Sequence, residues 1–327
     1  LYRTANAVIG PVLSKDLDLG AGSLGLLTSA YFLAFAAAQL PLGMLLDRFG
    51  PRRVEAGLLL IAACGAATFA LSDTLGGLAS GRALIGLGVS ACLMASFKAF
   101  SQWFPPERQA SLTGWIMASG GLGALAASKP LELALGFATW REVALLLAGC
   151  TVVVAASLWY FVPDKAGEDK GTGFAAQMAG VRSIFSSSHF WRYAPMGFWF
   201  TGGFMAVQGL WVARWMTVME GLDGAAIAAR LTWMSGAMLG GFLFMGFFAT
   251  ALVRRGIKLE RVYLVAMLMA IAILLFITSA PSAGSNWLWP VLGACFSLSN
   301  IAYSLVAQSF PPALSGRANT ALNLLVF

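Results

Sequence analysis

The feature that most constrains this chain is a succession of apolar segments, each about 20 residues long, separated by short polar stretches. A helix of that length rises about 30 Å, the thickness of the hydrocarbon core of a bilayer. The sequence therefore predicts an all-α membrane protein. The predicted spans are 22–46, 54–72, 77–102, 110–136, 143–162, 191–216, 225–252, 259–280 and 286–309.

The composition agrees with a chain surrounded by lipid. Hydrophobic residues make up 59% of the 327 residues and charged residues 11%, with a mean hydropathy of +0.78. So little polar surface cannot cover a soluble globule. The net charge of +7 lies in the interruptions between the apolar runs, so it does not indicate a nucleic-acid partner.

The cysteines and the histidine do not suggest an enzyme or a metal centre. Each cysteine stands alone within an apolar run, without a C-x-x-C pair, and is interpreted as a small core residue. The single histidine, His189, lies in a polar stretch. We therefore expect a protein that is not an enzyme and that holds no cofactor and no metal.

Each end of the chain is interpreted as part of a helix. Residues 1–13 are the outer part of a first helix, and 318–327 are the opening of an eleventh. The chain does not begin with Met and shows no signal peptide, which indicates trimming. We expect nine complete helices and two partial ones, from an intact protein with about twelve.

Lysine and arginine are concentrated on one side of the predicted helices. The poor side carries only Lys15 and Arg141, so by the positive-inside rule the rich side is the cytoplasm. The polar stretch 164–190 is a cytoplasmic linker on that side, with a candidate amphipathic segment from Phe174 to Phe185. The rich side carries Arg48, Arg52, Arg53, Arg108, Lys165, Lys170, Arg182, Arg192, Arg254, Arg255, Lys258, Arg261 and Arg317.

Two cytoplasmic loops recur with one offset. The Gln, Phe and two Pro of segment 102–106 return 206 residues later in segment 308–312. The Arg-x-Gly of 48–50 returns at 254–256 with the same offset. The chain is therefore predicted to contain two related six-helix bundles in parallel orientation. Their predicted boundaries are 1–163 for the first bundle, 164–190 for the linker and 191–327 for the second bundle.

The loop between the second and third predicted helices carries a family resemblance. It reads Gly43-Met44-Leu45-Leu46-Asp47-Arg48-Phe49-Gly50-Pro51-Arg52-Arg53 and looks like the signature loop of the major facilitator superfamily. Gly81-Arg82, followed by Gly86 and Gly88, is similar to its second motif. The resemblance covers the whole chain. It implies two six-helix bundles, truncated here in helices 1 and 11, and alternating access with helices 1, 4, 7 and 10 lining a cavity.

Individual residues of the loop have physical roles. Gly43 allows close helix approach and Gly50 a turn, while Asp47 can sit at the positive N-terminus of a neighbouring helix. The resemblance implies that this helix is the start of helix 11, from Ser315 to Ala318, and that the latch holds the cytoplasmic side shut. In the second copy Val253 replaces the acid, so a second latch is not expected.

The arginines of the loop have two interpretations. Arg48 and Arg53 are either part of the gating motif or only determinants of topology. Both alternatives apply to Arg52 as well.

Charged groups also interrupt helices 4 and 5, where they are costly in hydrocarbon. By resemblance Arg82 takes part in proton coupling, and bonding to backbone carbonyls is the alternative. Lys98 lies near the cytoplasmic end of the same helix and is expected to snorkel to the surface. On a straight helix it lies about 160° around from Arg82, so the two cannot face one cavity. Glu132 is a second coupling candidate, or the partner of Lys129 in an intrahelical ion pair.

Arg3 is the candidate substrate anchor. It lies about ten residues before the predicted end of the first helix, hence about 15 Å deep. A guanidinium at that depth needs an acid or a ligand anion, and residues 1–13 contain no acid. We interpret Arg3 as a bidentate partner for a carboxylate. An interhelical pair with an acid such as Glu132 is the alternative.

Helices 7 and 10, which line the cavity by resemblance, supply the other binding candidates. Gln208 and Trp211 flank the position that the repeat places opposite Arg3. Asn300 and Tyr303 are three residues apart on one helix face. Ordinary packing is the alternative for the two aromatic residues.

Tyr2-Arg3 and the stretch 25–33 look most like bacterial organic-anion symporters. That resemblance implies a monomeric inner-membrane protein in contact with lipid. Its partners would be a small anionic substrate and a coupling ion, proton or sodium. Two other functions stay open. One is proton-driven efflux of an apolar compound, for which only Glu132 supplies a deep acid, and the other is a non-transporting sensor on the same scaffold.

Overall fold

The computed structural model describes residues 2–127, 129–163, 174–279 and 285–326, and gives only the backbone of some residues inside these ranges. These parts of the chain are almost wholly helical, as predicted. The first nine helices are α1 (Tyr2–Asp16), α2 (Ala21–Phe49), α3 (Pro51–Leu71), α4 (Leu75–Val89), α5 (Cys92–Trp103), α6 (Pro106–Ala126), α7 (Lys129–Ala134), α8 (Trp140–Phe161) and α9 (Phe174–Phe185).

The predicted span 191–216 is a helix with two π-helical turns. It runs through α10 (Ser188–Gly197), the π turn Phe198–Gly202, α11 (Gly203–Ala206), the π turn Val207–Trp211 and α12 (Val212–Met219). The remaining helices are α13 (Gly224–Arg254), α14 (Leu259–Ser279), α15 (Ser285–Ser297), a 3-10 turn (Leu298–Asn300), α16 (Ile301–Gln308) and α17 (Pro312–Val326).

Seven spans in the described residues are long and apolar enough to cross a membrane, judged by length and composition. This agrees with the polytopic architecture predicted from the apolar runs. The spans are Gly22–Phe49, Pro51–Leu71, Leu75–Trp103, Trp140–Phe161, Ala229–Arg254, Leu259–Ser279 and Asn286–Gln308.

Two predicted helices differ in detail from the observed ones. The span 77–102 is interrupted at residues 90–91, where the Ser90 hydroxyl donates to the Leu87 carbonyl oxygen at 2.7 Å. Such local side-chain bonds compete with the helical ladder. The span 110–136 ends its long helix at Ala126, and a separate short helix, α7, follows. In the linker, α9 has the bounds predicted for the amphipathic segment, whereas residues 164–173 lie outside the described part.

The described chain divides into two compact units. Unit 1 comprises Leu1–Gln102, Ser119–Val181 and Pro312–Leu324. Within it α3 packs against α4 and α8, and α2 packs against α4. Its core includes Leu13, Leu27, Tyr31, Phe69 and Trp140, all buried. The predicted bundle boundaries stay a prediction.

The glycines of the predicted second motif make close helix packing possible inside unit 1. A Cβ on Gly81 would lie 2.7 Å from the backbone nitrogen of Phe69, and one on Gly86 would collide with the Tyr31 carbonyl. Small residues at such positions let membrane helices approach closely. The motif therefore marks the seams of α4 with α2 and α3.

Unit 2 comprises Trp103–Ala118, Arg182–Pro311 and Leu325–Phe327. Within it α13 packs against α15, α14 packs against α15, and α10 packs against α16. Rings from α11, α14 and α15 meet in its core, where the centroids of Phe204 and Phe296 are 4.1 Å apart.

Candidate functional site: a buried charge cluster and the predicted binding residues

Gly50 forms the turn that was predicted between the second and third helices. Its φ is 80°, which favours glycine, and Pro51 starts α3 directly after it. Gly256, 206 residues later, has a φ of 79°. The two positions matched by the sequence repeat thus adopt the same unusual backbone conformation, each just after a long helix.

Asp47 lies in the last turn of α2 and is buried between two cations. Its Oδ1 is 2.8 Å from Lys98 Nζ, and its Oδ2 accepts a hydrogen bond from Arg317 Nε at 2.7 Å. All three side chains are at most 4% exposed. One buried anion is therefore shared by a cation from α5 and one from α17.

Arg317, which binds Asp47, lies within the segment 315–318 that the family resemblance implies. The interaction, however, is not the expected one with the helix N-terminus. α17 begins at Pro312, so Arg317 is more than a turn inside the helix, beyond the strongest field of the helix N-terminus. The backbone N–H of Arg317 is 3.4 Å from Asp47 Oδ2, a long hydrogen bond. Ion pairing with side chains, rather than the helix dipole, is the main interaction.

The expectation for Lys98 was wrong. Lys98 does not snorkel to the surface: its side chain is fully buried, and Nζ also lies 3.5 Å from Ser315 Oγ. Arg317 is buried too. The prediction rested on the position of Lys98 near the end of its predicted helix, whereas the ammonium is held inside the protein by the Asp47 carboxylate.

The charge cluster is one end of a polar seam between α2 and α17. Gly43 faces α17 so closely that a Cβ would lie 2.9 Å from Arg317 Cα and would collide with the Thr320 hydroxyl. One turn further along, Asn323 Nδ2 donates to Gln39 Oε1 at 2.9 Å, and both residues are buried. The antiparallel contacts therefore recur every helical turn.

Of the remaining arginines of the signature loop, Arg48 and Arg53 lie outward and Arg52 is half-buried. Arg48 and Arg53 are exposed, and the Arg48 guanidinium lies 5.1 Å from the Phe49 ring centroid. Arg52 lies 5.1 Å from the Trp159 ring centroid. These positions are typical of interfacial cations over aromatic rings.

Arg82 is buried at 5% exposure in unit 1. Its Nη1 is 3.4 Å from the Tyr2 carbonyl oxygen, and its guanidinium lies 5.0 Å from the Tyr31 ring centroid. The contact agrees with the alternative in which Arg82 binds backbone carbonyl groups. A coupling role for Arg82 stays a prediction.

Arg3 is exposed on α1. α1 continues to Asp16, beyond the predicted end near Leu13. Asp16, the only acid of α1, accepts hydrogen bonds from Trp140 Nε1 at 2.8 Å and Arg141 Nη1 at 2.9 Å. Thirteen residues of helix put it about 20 Å from Arg3, so it is not the partner of Arg3.

The other predicted binding residues belong to unit 2 and have different surroundings. Gln208 and Trp211 lie in the second π turn; Gln208 Nε2 is 3.4 Å from Ser235 Oγ, and Trp211 is 65% exposed. Asn300 lines a small cavity, whereas Tyr303 is buried beside Tyr263. π turns recur at functional sites, which keeps Gln208 a candidate. The side chains of Lys129 and Glu132 lie outside the described part.

The seam residues Gln39, Thr320 and Asn323 were missed by the sequence reasoning. A signal was present, since Gln39, Gly43 and Asp47 are spaced four residues apart on one face of α2.

Comparison with known proteins places the chain in a family. The model of the Major Facilitator Superfamily matches residues 1–327. A crystal structure described as the superfamily transporter FucP in the outward conformation aligns with a TM-score of 0.78 at 16% identity, covering 99% of this chain and 85% of that one. That likeness shows the fold.

Two curated relatives match about half of this chain. The galacturonate transporter of Dickeya chrysanthemi is 27% identical over 161 residues, 49% of this chain and 46% of its own length. The hexuronate transporter of Escherichia coli (strain K12) is 26% identical over 159 residues, 49% of this chain and 37% of its own length. The chain thus matches less than half the length of each of these relatives.

These comparisons confirm the predicted all-α transporter fold and the expectation that the chain is not an enzyme. They also make it a multi-pass membrane protein. The chain belongs to the Major Facilitator Superfamily.

Proposed function

We propose that this protein is a secondary active transporter that takes up a small organic anion of the sugar-acid type, coupled to an ion gradient, in a bacterial inner membrane. Its membership of a transporter superfamily supports the class of activity. The activities named for two relatives, galacturonate and hexuronate transport, support the class of substrate.

The observation that carries the substrate class is the exposed guanidinium of Arg3. A cation on a membrane helix is costly when it faces lipid, so its exposed side needs water or an anion. The only acid on the same helix, Asp16, is bound by Trp140 and Arg141. A planar guanidinium binds a carboxylate through two parallel hydrogen bonds, which is the group that sugar acids present.

The polar seam supports alternating access. Asp47 ties α2 to α17, and conversion to the opposite conformation requires such a seam to part. A buried ion pair is stable when formed, and separating its charges while they stay buried costs free energy. Such a contact is therefore suited to two discrete states, one closed and one fully parted. We assign Gly43, Asp47, Lys98 and Arg317 to this gate. The charge asymmetry of the loops supports a cytoplasmic position for it and for the 164–190 linker.

Uptake of labelled galacturonate into proteoliposomes tests the proposal. We expect uptake driven by an inward proton or sodium gradient. Arg3→Lys should raise the KM at least tenfold, because the bidentate geometry is lost, and Arg3→Ala should abolish uptake. Arg108→Lys, a change at an exposed arginine of α6, is the matched control and should leave the KM unchanged. Unaltered affinity in Arg3→Lys would contradict the role of Arg3, and no uptake of any sugar acid by the unmodified protein would contradict the function.

A further inference from the structure

Glu55 carries a carboxyl group that neither the gate nor the proposed substrate site uses. It lies in the second turn of α3, shortly after the turn at Gly50 and within the membrane-spanning segment Pro51–Leu71. The residue as a whole is half-buried, but its Oε2 is closed off from the surface and has no hydrogen-bond partner in the described part of the chain. Glu55 is therefore not a solvated surface acid.

The titratable group that faces Glu55 is the thiol of Cys92. Cys92 is the first residue of α5, and its side chain shares a hydrogen bond with the Glu55 carboxyl. A thiol is a weak donor, so this contact compensates a negative charge poorly. A protonated carboxyl is neutral and has a hydrogen of its own to donate. The pair therefore fits the protonated acid better than the carboxylate.

The cations of the helices around α3 do not compensate a charge on Glu55. Among the described side chains, Cys92 alone interacts with the Glu55 carboxyl. The charged groups that α2, α3, α4, α5 and α8 carry near their packed faces interact with other residues. These are Asp47 with Lys98 and Arg317, Arg48 over Phe49, Arg52 over Trp159, Arg82 against the Tyr2 carbonyl, and Arg141 and Glu142 at the start of α8; Arg53, Cys64, Cys150 and Tyr160 are exposed. A carboxylate at Glu55 would thus be buried without a counter-charge, which is costly in a membrane helix.

Helix α5 connects this pair to the gate. Lys98 lies six residues after Cys92 on the same helix, and its Nζ is 2.8 Å from the Asp47 carboxylate of α2. α5 is therefore bound to α3 through Cys92 and to α2 through Lys98. A charge on Glu55 favours a conformation in which water reaches the carboxyl group, whereas a proton on Glu55 favours the closed packing described above.

We propose that the Glu55 carboxyl, in contact with the Cys92 thiol, is a proton-binding site that is occupied while the Asp47 gate is closed. When the gate parts, the carboxyl O–H bond breaks and the proton passes to water, leaving a hydrated carboxylate. Proton binding by Glu55 does not depend on the identity of the transported substrate. Its use in coupling rests on the proposed transport function.

Labelling with dicyclohexylcarbodiimide tests the site, because this apolar reagent attacks protonated carboxyl groups. We expect the purified protein in detergent to be labelled at Glu55 in acid, and at least tenfold less in alkaline buffer. Peptide mass spectrometry identifies the labelled residue. Glu142, an exposed acid of α8 that accepts from the Thr139 backbone N–H at 2.7 Å, is the control and should be labelled little at any pH.

Variants of Cys92 test the contact between the thiol and the carboxyl group. Cys92→Ser supplies a stronger donor to the carboxylate, so labelling of Glu55 should be half-maximal at a lower pH than in the unmodified protein. Cys92→Ala removes the donor, so half-maximal labelling should move to a higher pH. A residue that only fills space would not order the two variants in this way.

Thermal unfolding provides a measurement that does not depend on access of the reagent. Glu55→Gln keeps the shape of the side chain and cannot ionise. Its unfolding midpoint should equal that of the unmodified protein in acid, where Glu55 is neutral, and exceed it increasingly as the pH rises, because the unmodified protein must then bury a charge or keep its proton. Glu142→Gln is the matched control and should gain no stability as the pH rises.

Two outcomes would overturn the site. One is labelling of Glu55 that does not change with pH, and the other is a difference in midpoint between Glu55→Gln and the unmodified protein that stays the same at every pH. The proposed transport function fails separately. Labelling of Glu55 that falls with rising pH, together with no uptake of any sugar acid, would keep the proton site and reject the transport proposal.

Discussion

The carboxylate of Asp47 and the ammonium of Lys98 lie 2.8 Å apart, with both side chains closed off from the surface. The same carboxylate accepts from Arg317 Nε at 2.7 Å. The cluster therefore holds one negative and two positive charges. Loss of the anion leaves two buried like charges, whereas loss of one cation leaves a balanced pair. This asymmetry ranks the expected effects of substitutions.

Asp47→Asn is expected to be the most damaging substitution in the cluster. Breaking a buried ion pair by removing one partner costs about 3–5 kcal/mol, because the remaining charges stay buried without compensation. We expect a lower midpoint of thermal unfolding in detergent and increased labelling of cysteines introduced along the α2–α17 seam.

Asp73→Asn is the matched control for this change. Asp73 is exposed and pairs with Arg141, also near the surface, and such pairs contribute about 0–1 kcal/mol. If Asp47→Asn and Asp73→Asn unfold at the same temperature, the Asp47 cluster does not stabilise this conformation.

Lys98→Met is expected to cost less than Asp47→Asn. The methionine fills a similar volume, and the Asp47–Arg317 pair that remains is balanced in charge. The double variant Asp47→Asn, Lys98→Met should then be more stable than Asp47→Asn alone, since it removes one of the two uncompensated cations. The free energies of unfolding of the unmodified protein, the two single variants and the double variant form a double-mutant cycle. Purely additive effects would show that the two residues do not interact.

Gly43→Ala tests the close approach of α2 and α17. The added Cβ would lie 2.9 Å from Arg317 Cα, a backbone atom that cannot rotate away, as well as meeting the Thr320 hydroxyl. We expect overpacking to cost about 1–3 kcal/mol, with partial rescue by Thr320→Ala because only the side-chain clash is relieved. Gly57→Ala on α3, where a Cβ meets open space, is the control and should be neutral or slightly stabilising. Full rescue by Thr320→Ala would contradict the backbone contact.

The helices and the turns between them could be predicted from the sequence, because they depend on the spacing of neighbouring residues. The apolar runs predicted most of the long helices to within a few residues, because length and hydropathy decide a membrane span. The signature loop predicted the turn at Gly50, and the repeat pointed to the corresponding turn at Gly256, since both depend on a backbone conformation that favours glycine.

The burial of Lys98 could not be predicted in the same way. Its position near the end of its predicted helix favoured snorkelling, and local spacing does not show that the Asp47 carboxylate of another helix lies 2.8 Å from its ammonium. The partner cation, Arg317, comes from a helix near the other end of the chain. Which side chains share one carboxylate is thus a property of tertiary packing.

The Gln39–Asn323 pair provides the last prediction. Asn323 Nδ2 donates to Gln39 Oε1 at 2.9 Å, and Gln39 Nε2 donates to the Phe35 carbonyl at 3.2 Å. Polar contacts between membrane helices contribute about 0.6–2 kcal/mol each. Gln39→Leu should therefore lower stability by about that amount, because it leaves the Asn323 amide buried without this acceptor.

The double variant Gln39→Leu, Asn323→Leu separates pairing from packing. Replacing both partners by apolar groups of similar size removes the buried polar group along with its partner, so most of the lost stability should return. Asn286→Leu, an exposed amide at the start of α15, is the control and should change the unfolding midpoint little. If the double variant is no more stable than Gln39→Leu, the amides do not act as a pair. In transport assays we expect the double variant to have a lower maximal rate of uptake, because the polar contact that defines how α2 and α17 pack is lost. The KM should be unchanged, since neither residue belongs to the proposed substrate site.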